Sequence, residues 1–136
     1  SGTRCAVENG ITCVGTFITE TGEIPLTAGL ARMTDKIREN AYCDVACHVT
    51  PIRFDEPGWR AIEDVLACGI HTIKLYTTYR QAGLYTGYDE IERIFAALQG
   101  RPLRFLVHCE DDLLLEEAAG RVAGFLRREG GHWRGH

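Results

Sequence analysis

Gly69-Ile70-His71-Thr72-Ile73-Lys74-Leu75-Tyr76-Thr77-Thr78-Tyr79 is a strand-like run with a single lysine inside it. Its β-branched and aromatic residues suit a pleated, packed surface, so the run reads as a buried parallel strand. A lysine pointing into a core from such a strand must be neutralised or paired, because an isolated buried ammonium is expensive. A second run, Pro102-Leu103-Arg104-Phe105-Leu106-Val107-His108-Cys109-Glu110, ends in a histidine at the corresponding place. That histidine sets a candidate metal ligand beside Lys74.

Outward from these two runs the chain repeats strand then helix. A short amphipathic lead, Arg4 to Asn9, precedes a first strand over Ile11–Ile18, and a helix follows with Leu26, Leu30, Met33 and Ile37 at helical spacing. Asp44–Thr50 reads as the second strand. Asp55 is placed to cap the next helix, with Pro57 in its first turn and Trp59, Ile62 and Leu66 as its stripe. After the Lys74 strand, Thr86 and Asp89 have the spacing of a capping box ahead of Ile91, Ile94, Phe95 and Leu98. A last helix is expected over Asp112–Arg128, with Leu115, Ala118, Ala119, Val122, Phe125 and Leu126 inward, and then a mobile tail, Glu129 to His136.

Four βα units in succession imply parallel strands in sequential order, apolar on both faces, with helices outside. Ligand-binding residues in such folds collect at the C-terminal strand ends, where His48, Lys74 and His108 all lie.

With 136 residues, 45% hydrophobic, 25% charged and a net charge of -4, one compact domain spanning 1–136 is expected. The scattered basic residues give no nucleic-acid face, and no apolar stretch reaches the roughly 20 residues of a membrane span. The absence of a signal-like start points to the cytoplasm. Cys5, Cys13, Cys43, Cys47, Cys68 and Cys109 are spread through expected strands and helices, which reads as free, mostly buried thiols. Cys43, Cys47 and His48 invite a zinc reading, but strand alternation turns His48 away from the two thiols.

The segment Ile73-Lys74-Leu75-Tyr76-Thr77-Thr78-Tyr79 resembles the lysine segment of the hydantoinase and dihydropyrimidinase branch of the amidohydrolase superfamily. Val107-His108-Cys109-Glu110-Asp111 is similar to that branch's "His-Ala-Glu-Asn" segment, and Cys43-Asp44-Val45-Ala46-Cys47-His48 to its "Asp-Tyr-x-x-His" strand. The resemblance implies a partial (β/α)8 TIM barrel, four consecutive βα units matching barrel strands two to five. It implies a cyclic amide substrate, such as a dihydropyrimidine or hydantoin, and two divalent metal ions, usually zinc. Carboxylated Lys74 would bridge them, His108 would bind one, and Tyr79 would hydrogen-bond the oxyanion. It also implies an oligomeric parent protein. The family's His-x-His pair and its later histidine and aspartate are not found here, so two of six expected ligands are present and the chain reads as a fragment inactive alone. Arg80, Cys109 and Asp111 depart from the usual pattern, which bears on substrate identity.

Taken singly, these residues keep plainer readings. Lys74 is also a side chain that snorkels to the sheet edge or pairs with Glu110, and His108 a hydrogen-bonded core histidine. Tyr79 and His48 are also packing residues, and His71, His132 and His136 receive no role. Besides the amidohydrolase, two alternatives stand: a non-catalytic relative serving as an assembly scaffold, and a flavodoxin-like binding module, although no Gly-x-Gly-x-x-Gly follows the first strand.

Overall fold

The structure, a computed structural model, describes residues 2–128. The expected tail, with His132 and His136, and the side chain of Leu126 lie outside the described residues. A short helix α1 (Gly2–Glu8) leads into β1 (Cys13–Thr19), α2 (Leu26–Asn40), β2 (Asp44–Thr50) and α3 (Glu56–Ala67). Then come β3 (Thr72–Tyr76), a 3-10 turn over Arg80–Ala82, α4 (Tyr88–Ala97), β4 (Arg104–His108) and α5 (Asp112–Arg128). All strand pairs are parallel, in the order β1-β2-β3-β4. Sequential order excludes the flavodoxin-like arrangement, in which the first strand sits between the second and third.

The register explains which residues reach the core. Thr16 pairs with Cys47, Ile18 with Val49, Val49 with Ile73, Ile73 with Phe105 and Leu75 with Val107. These positions share one face, and on it Ile18, Val49, Ile73 and Leu75 are buried against Leu26, Ile62, Val65, Ile91 and Ile94 of the helices. The alternate positions, Phe17, His48, Lys74, Tyr76, Leu106 and His108, share the other face. The strands are therefore not apolar on both faces as expected. Helices cover one side only, and the polar residues collect on the side left open.

α3 starts as read: the Asp55 carboxylate accepts from the Gly58 amide at 3.0 Å, and Pro57 occupies the first turn. α4 does not. Its N-cap is Gly87, without a side-chain hydrogen bond, because Thr86 is drawn back toward β3 by its amide's bond to Tyr76 O at 2.7 Å. The stripe of α5 is corrected too. Leu115, Val122 and Phe125 are exposed, since α5 follows the last described strand and has only one strand beside it to pack on. The thiols are free, but Cys5, Cys13, Cys68 and Cys109 are exposed and only Cys43 and Cys47 partly covered. Cys13 explains the pattern: it opens the edge strand and points to the uncovered face. Among the described residues no helix is long and apolar enough to cross a membrane.

Candidate functional site

The C-terminal ends of β3 and β4 hold the candidate site. Parallel pairing sets Lys74 level with Leu106 and Tyr76 level with His108. Lys74 and His108 therefore lie on the same face of neighbouring strands spaced about 4.8 Å, but not at the corresponding place expected: Lys74 sits two register positions before the level of His108. The Tyr76 ring touches both, with Lys74 Nζ 4.7 Å from its centroid and the His108 ring stacked at 5.6 Å. Such a cation–π contact satisfies part of an ammonium's electrostatic need without a carboxylate. Glu110 is not Lys74's partner: its Oε2 pairs with Nε2 of His108. In the tautomer that carries the ring proton on Nε2, that nitrogen donates to the carboxylate and Nδ1 is the acceptor.

Tyr79 comes down on the same group, its ring 5.1 Å from His108 edge-on and 5.7 Å from Tyr76. It reaches that position through an uncommon backbone, φ 61° and ψ 39°, among the described residues the one non-glycine with positive φ. The left-handed region costs an L-residue about 1 kcal/mol, so surrounding bonds must hold it. The strand before it is fastened by Thr77, whose amide donates to His108 O at 2.9 Å and whose hydroxyl lies 2.7 Å from Glu110 O. After it, the amides of Ala82 and Leu84 both donate to Tyr79 O, at 3.0 and 3.3 Å.

The residues on either side of Tyr79 share one carboxylate. Thr78 Oγ1 donates to Asp112 Oδ1 at 3.0 Å, and Arg80 Nε donates to Asp112 Oδ2 at 3.1 Å. Burial pushes the Asp112 carboxyl up, but the hydrogen bonds from Thr78 and Arg80 outweigh it and hold it below the ordinary carboxylate range. The Arg80 guanidinium also lies 3.6 Å above the Tyr85 ring. Its contact with Tyr85, and then the bond to Asp112, raise its already high pKa.

His48 sits on β2, the strand next to β3, on the same open face, its ring 5.4 Å from Phe17 and its Nδ1 buried without a hydrogen bond. It packs beside β1 and does not join the Lys74 group. At the end of the neighbouring edge strand, Glu20 is buried just beyond β1 and accepts from the amides of Ile52 and Arg53 at 2.9 and 3.2 Å, tying down the loop after β2. The sequence reading passed over Tyr76, Thr78, Glu20 and Asp112. The legible signals were a Thr-Thr pair ending an apolar strand and an acidic residue opening a helix, but neither identifies its partner.

A layer of helices on one face of a sequential parallel sheet, with polar side chains gathered at the strand ends of the other, defines a segment of a parallel βα barrel. Solved structures carry the same arrangement. A D-hydantoinase from Bacillus sp. AR9 superimposes with a TM-score of 0.80 at 20% identity, over 96% of this chain and 28% of that one. A dihydropyrimidinase from Brevibacillus agri NCHU1002 gives 0.80 at 20% identity, over 96% and 27%. Another D-hydantoinase gives 0.80 at 18% identity over the same shares. The chain thus spans little more than a quarter of the length of the structures it resembles, and its fold is part of their barrel. No family model and no curated sequence matches it.

Proposed function

We propose that this chain contributes part of the active site of a cyclic amidohydrolase, a metal-dependent hydrolase opening rings such as dihydropyrimidines or hydantoins. The observation carrying this reading is the shared open face at the ends of β3 and β4, where Lys74, His108 and Tyr79 gather around Tyr76. Lys74 would serve, once carboxylated, as a ligand bridging two zinc ions, and His108 as a ligand of one. The donor set fits a share of such a centre and not the whole, since no group of three metal-ligating side chains occurs among the described residues. A bound metal pair supplies hydroxide at neutral pH. The chain's own part is to position. Glu110 fixes the tautomer of His108, the open face admits a flat ring against Tyr76, and the Tyr79 phenol donates to the oxygen that gains charge when the amide carbon is attacked. A donor so aimed contributes about 3 kcal/mol to the transition state.

Expression of the chain with its flanking coding sequence, in zinc and bicarbonate, tests this reading. Hydrolysis of dihydrouracil or hydantoin is expected. Lys74→Ala and His108→Ala should lose both bound zinc and turnover, while Tyr79→Phe keeps the zinc and loses rate about 10²-fold. Turnover surviving Lys74→Ala would refute the assignment. The scaffold reading predicts no zinc and no turnover in the parent, and the presence of both Lys74 and His108 on one face speaks against it.

A further inference from the structure

We infer that Asp112 is the positioning residue for Tyr79, a clamp whose two oxygens hold the residues on either side of that tyrosine and so fix where its phenol points. The role given to the phenol rests on the reading above; the clamp itself stands on geometry.

Three observations converge. Tyr79 alone among the described non-glycine residues has a positive φ, so its local preference opposes the conformation seen. Thr78 and Arg80 are each bonded to a different oxygen of one carboxylate, contributed from 32 to 34 residues away at the start of α5. That carboxylate is 8% exposed and Thr78 is 3% exposed, so water competes weakly for either bond. The clamp spans the strained residue. If Oδ1 is lost, Thr78 is free to rotate; if Oδ2 is lost, Arg80 has only the Tyr85 ring to hold it. In either case the bonds that the Tyr79 carbonyl accepts from Ala82 and Leu84 are left to hold the left-handed turn without an anchor to α5, and the backbone at Tyr79 can return to the common region, which swings the phenol away from His108. Asp112 touches neither the Lys74 group nor the open face, and acts through Tyr79 alone.

The clamp also explains why α5 starts where it does. Asp112 belongs to the first turn of that helix, so the helix start is registered against the β3 loop by the same two bonds. The Asp111 carboxylate is the one that serves the helix, its Oδ1 accepting from the amides of Leu113 and Leu114 at 3.0 and 3.1 Å. Capping is thus accounted for by Asp111, and the Asp112 side chain is left for the loop.

The test uses the parent protein with Asp112→Ala, Asp112→Asn, Thr78→Val and Thr78→Ser, reading the magnetic contact between the Tyr79 and His108 rings together with kcat and KM. The Tyr76–His108 contact reports that the sheet is intact. Asp112→Ala and Thr78→Val are expected to lose the Tyr79–His108 contact while keeping Tyr76–His108, and to lower kcat about 10²-fold with KM changed less than about threefold, the mark of a misplaced transition-state donor. Asp112→Asn should weaken the contact in part, and Thr78→Ser, which keeps the hydroxyl, should retain both contact and rate. Should Asp112→Ala fail to fold, the Thr78 pair decides alone. A Tyr79–His108 contact that survives in Asp112→Ala or Thr78→Val overturns the clamp. Loss of the contact in a parent that turns over no cyclic amide leaves the clamp standing and rejects the amidohydrolase reading instead.

Discussion

Replacing Glu20 by alanine should loosen the loop between β2 and α3. The side chain is 2% exposed and sits just past β1, where its own amide donates to Thr50 O at 2.9 Å. Its Oε2 is the acceptor for two consecutive amides, Ile52 at 2.9 Å and Arg53 at 3.2 Å. Hydrogen bonds to a charged acceptor contribute about 1.5–3 kcal/mol each, and a covered amide left without a partner costs about 1–3 kcal/mol. Both amides lie in a partly covered loop, so the lower ends apply and the loss is about 2–3 kcal/mol in total. The Arg53 guanidinium, 3.4 Å from Oε1, is half exposed and adds well under 1 kcal/mol. Urea unfolding followed by Trp59 fluorescence, which reports on α3 through the Phe54 contact at 5.7 Å, is the assay. The midpoint should fall by about 1–2 M in Glu20→Ala, by less than half of that in Glu20→Gln, and barely in Arg53→Ala. A midpoint for Glu20→Ala within 0.3 M of the parent, about the size of a neutral surface change, would refute the view that this carboxylate holds the β2–α3 loop.

Further expectations concern reactivity, packing and pH. Thiol titration with an aromatic disulfide should show Cys5, Cys13, Cys68 and Cys109 reacting fast and Cys47 last, because burial raises its pKa and it faces the helices; equal rates for all six would contradict the sidedness of the sheet. Ile94→Ala, at a fully buried position between α4 and the sheet, should cost about 3 kcal/mol in denaturant unfolding. Leu114→Ala, on the exposed start of α5, should stay within about 0.5 kcal/mol. Since Asp112 has a folded pKa below its unfolded value, its stabilising effect is complete above the ordinary carboxylate range, about pH 4, and is lost as pH falls through the lower folded value. The Tyr79–His108 contact should therefore persist to about pH 4 and fade below it, and a contact that breaks between pH 5 and 7 would point to another group. The chain by itself, with zinc and bicarbonate, should hydrolyse neither dihydrouracil nor hydantoin, since its described residues gather no third metal-ligating side chain; turnover abolished by Lys74→Ala would show that the site is completed from within.

The sequence by itself determined the alternation of elements and the sidedness of most of them. Period-two and period-3.6 patterns are local properties, so β2, β3, β4, the Asp55 cap and the buried stripe of α3 were all legible before any contact was known. The same patterns put Lys74 and His108 on successive strands but not at one level: Lys74 lies in the middle of β3 opposite Leu106, and His108 closes β4 opposite Tyr76, an offset that only the strand register decides. What periodicity does not encode is the partner. A helix stripe reads the same whether or not a second strand exists to cover it, which is why the periodicity of α5 predicts an inward face while Leu115, Val122 and Phe125 lie exposed. Thr86 had the spacing of a cap, yet its amide was claimed by Tyr76, a competition decided across the loop. Lys74 had Glu110 as its nearest carboxylate in the sequence reading, but the fold gave that carboxylate to His108 and laid the ammonium on Tyr76. The left-handed turn at Tyr79 and the reach of Asp112 across more than 30 residues belong wholly to the tertiary structure. Bonds of that separation form only once β3 and β4 have paired and brought their following loops together.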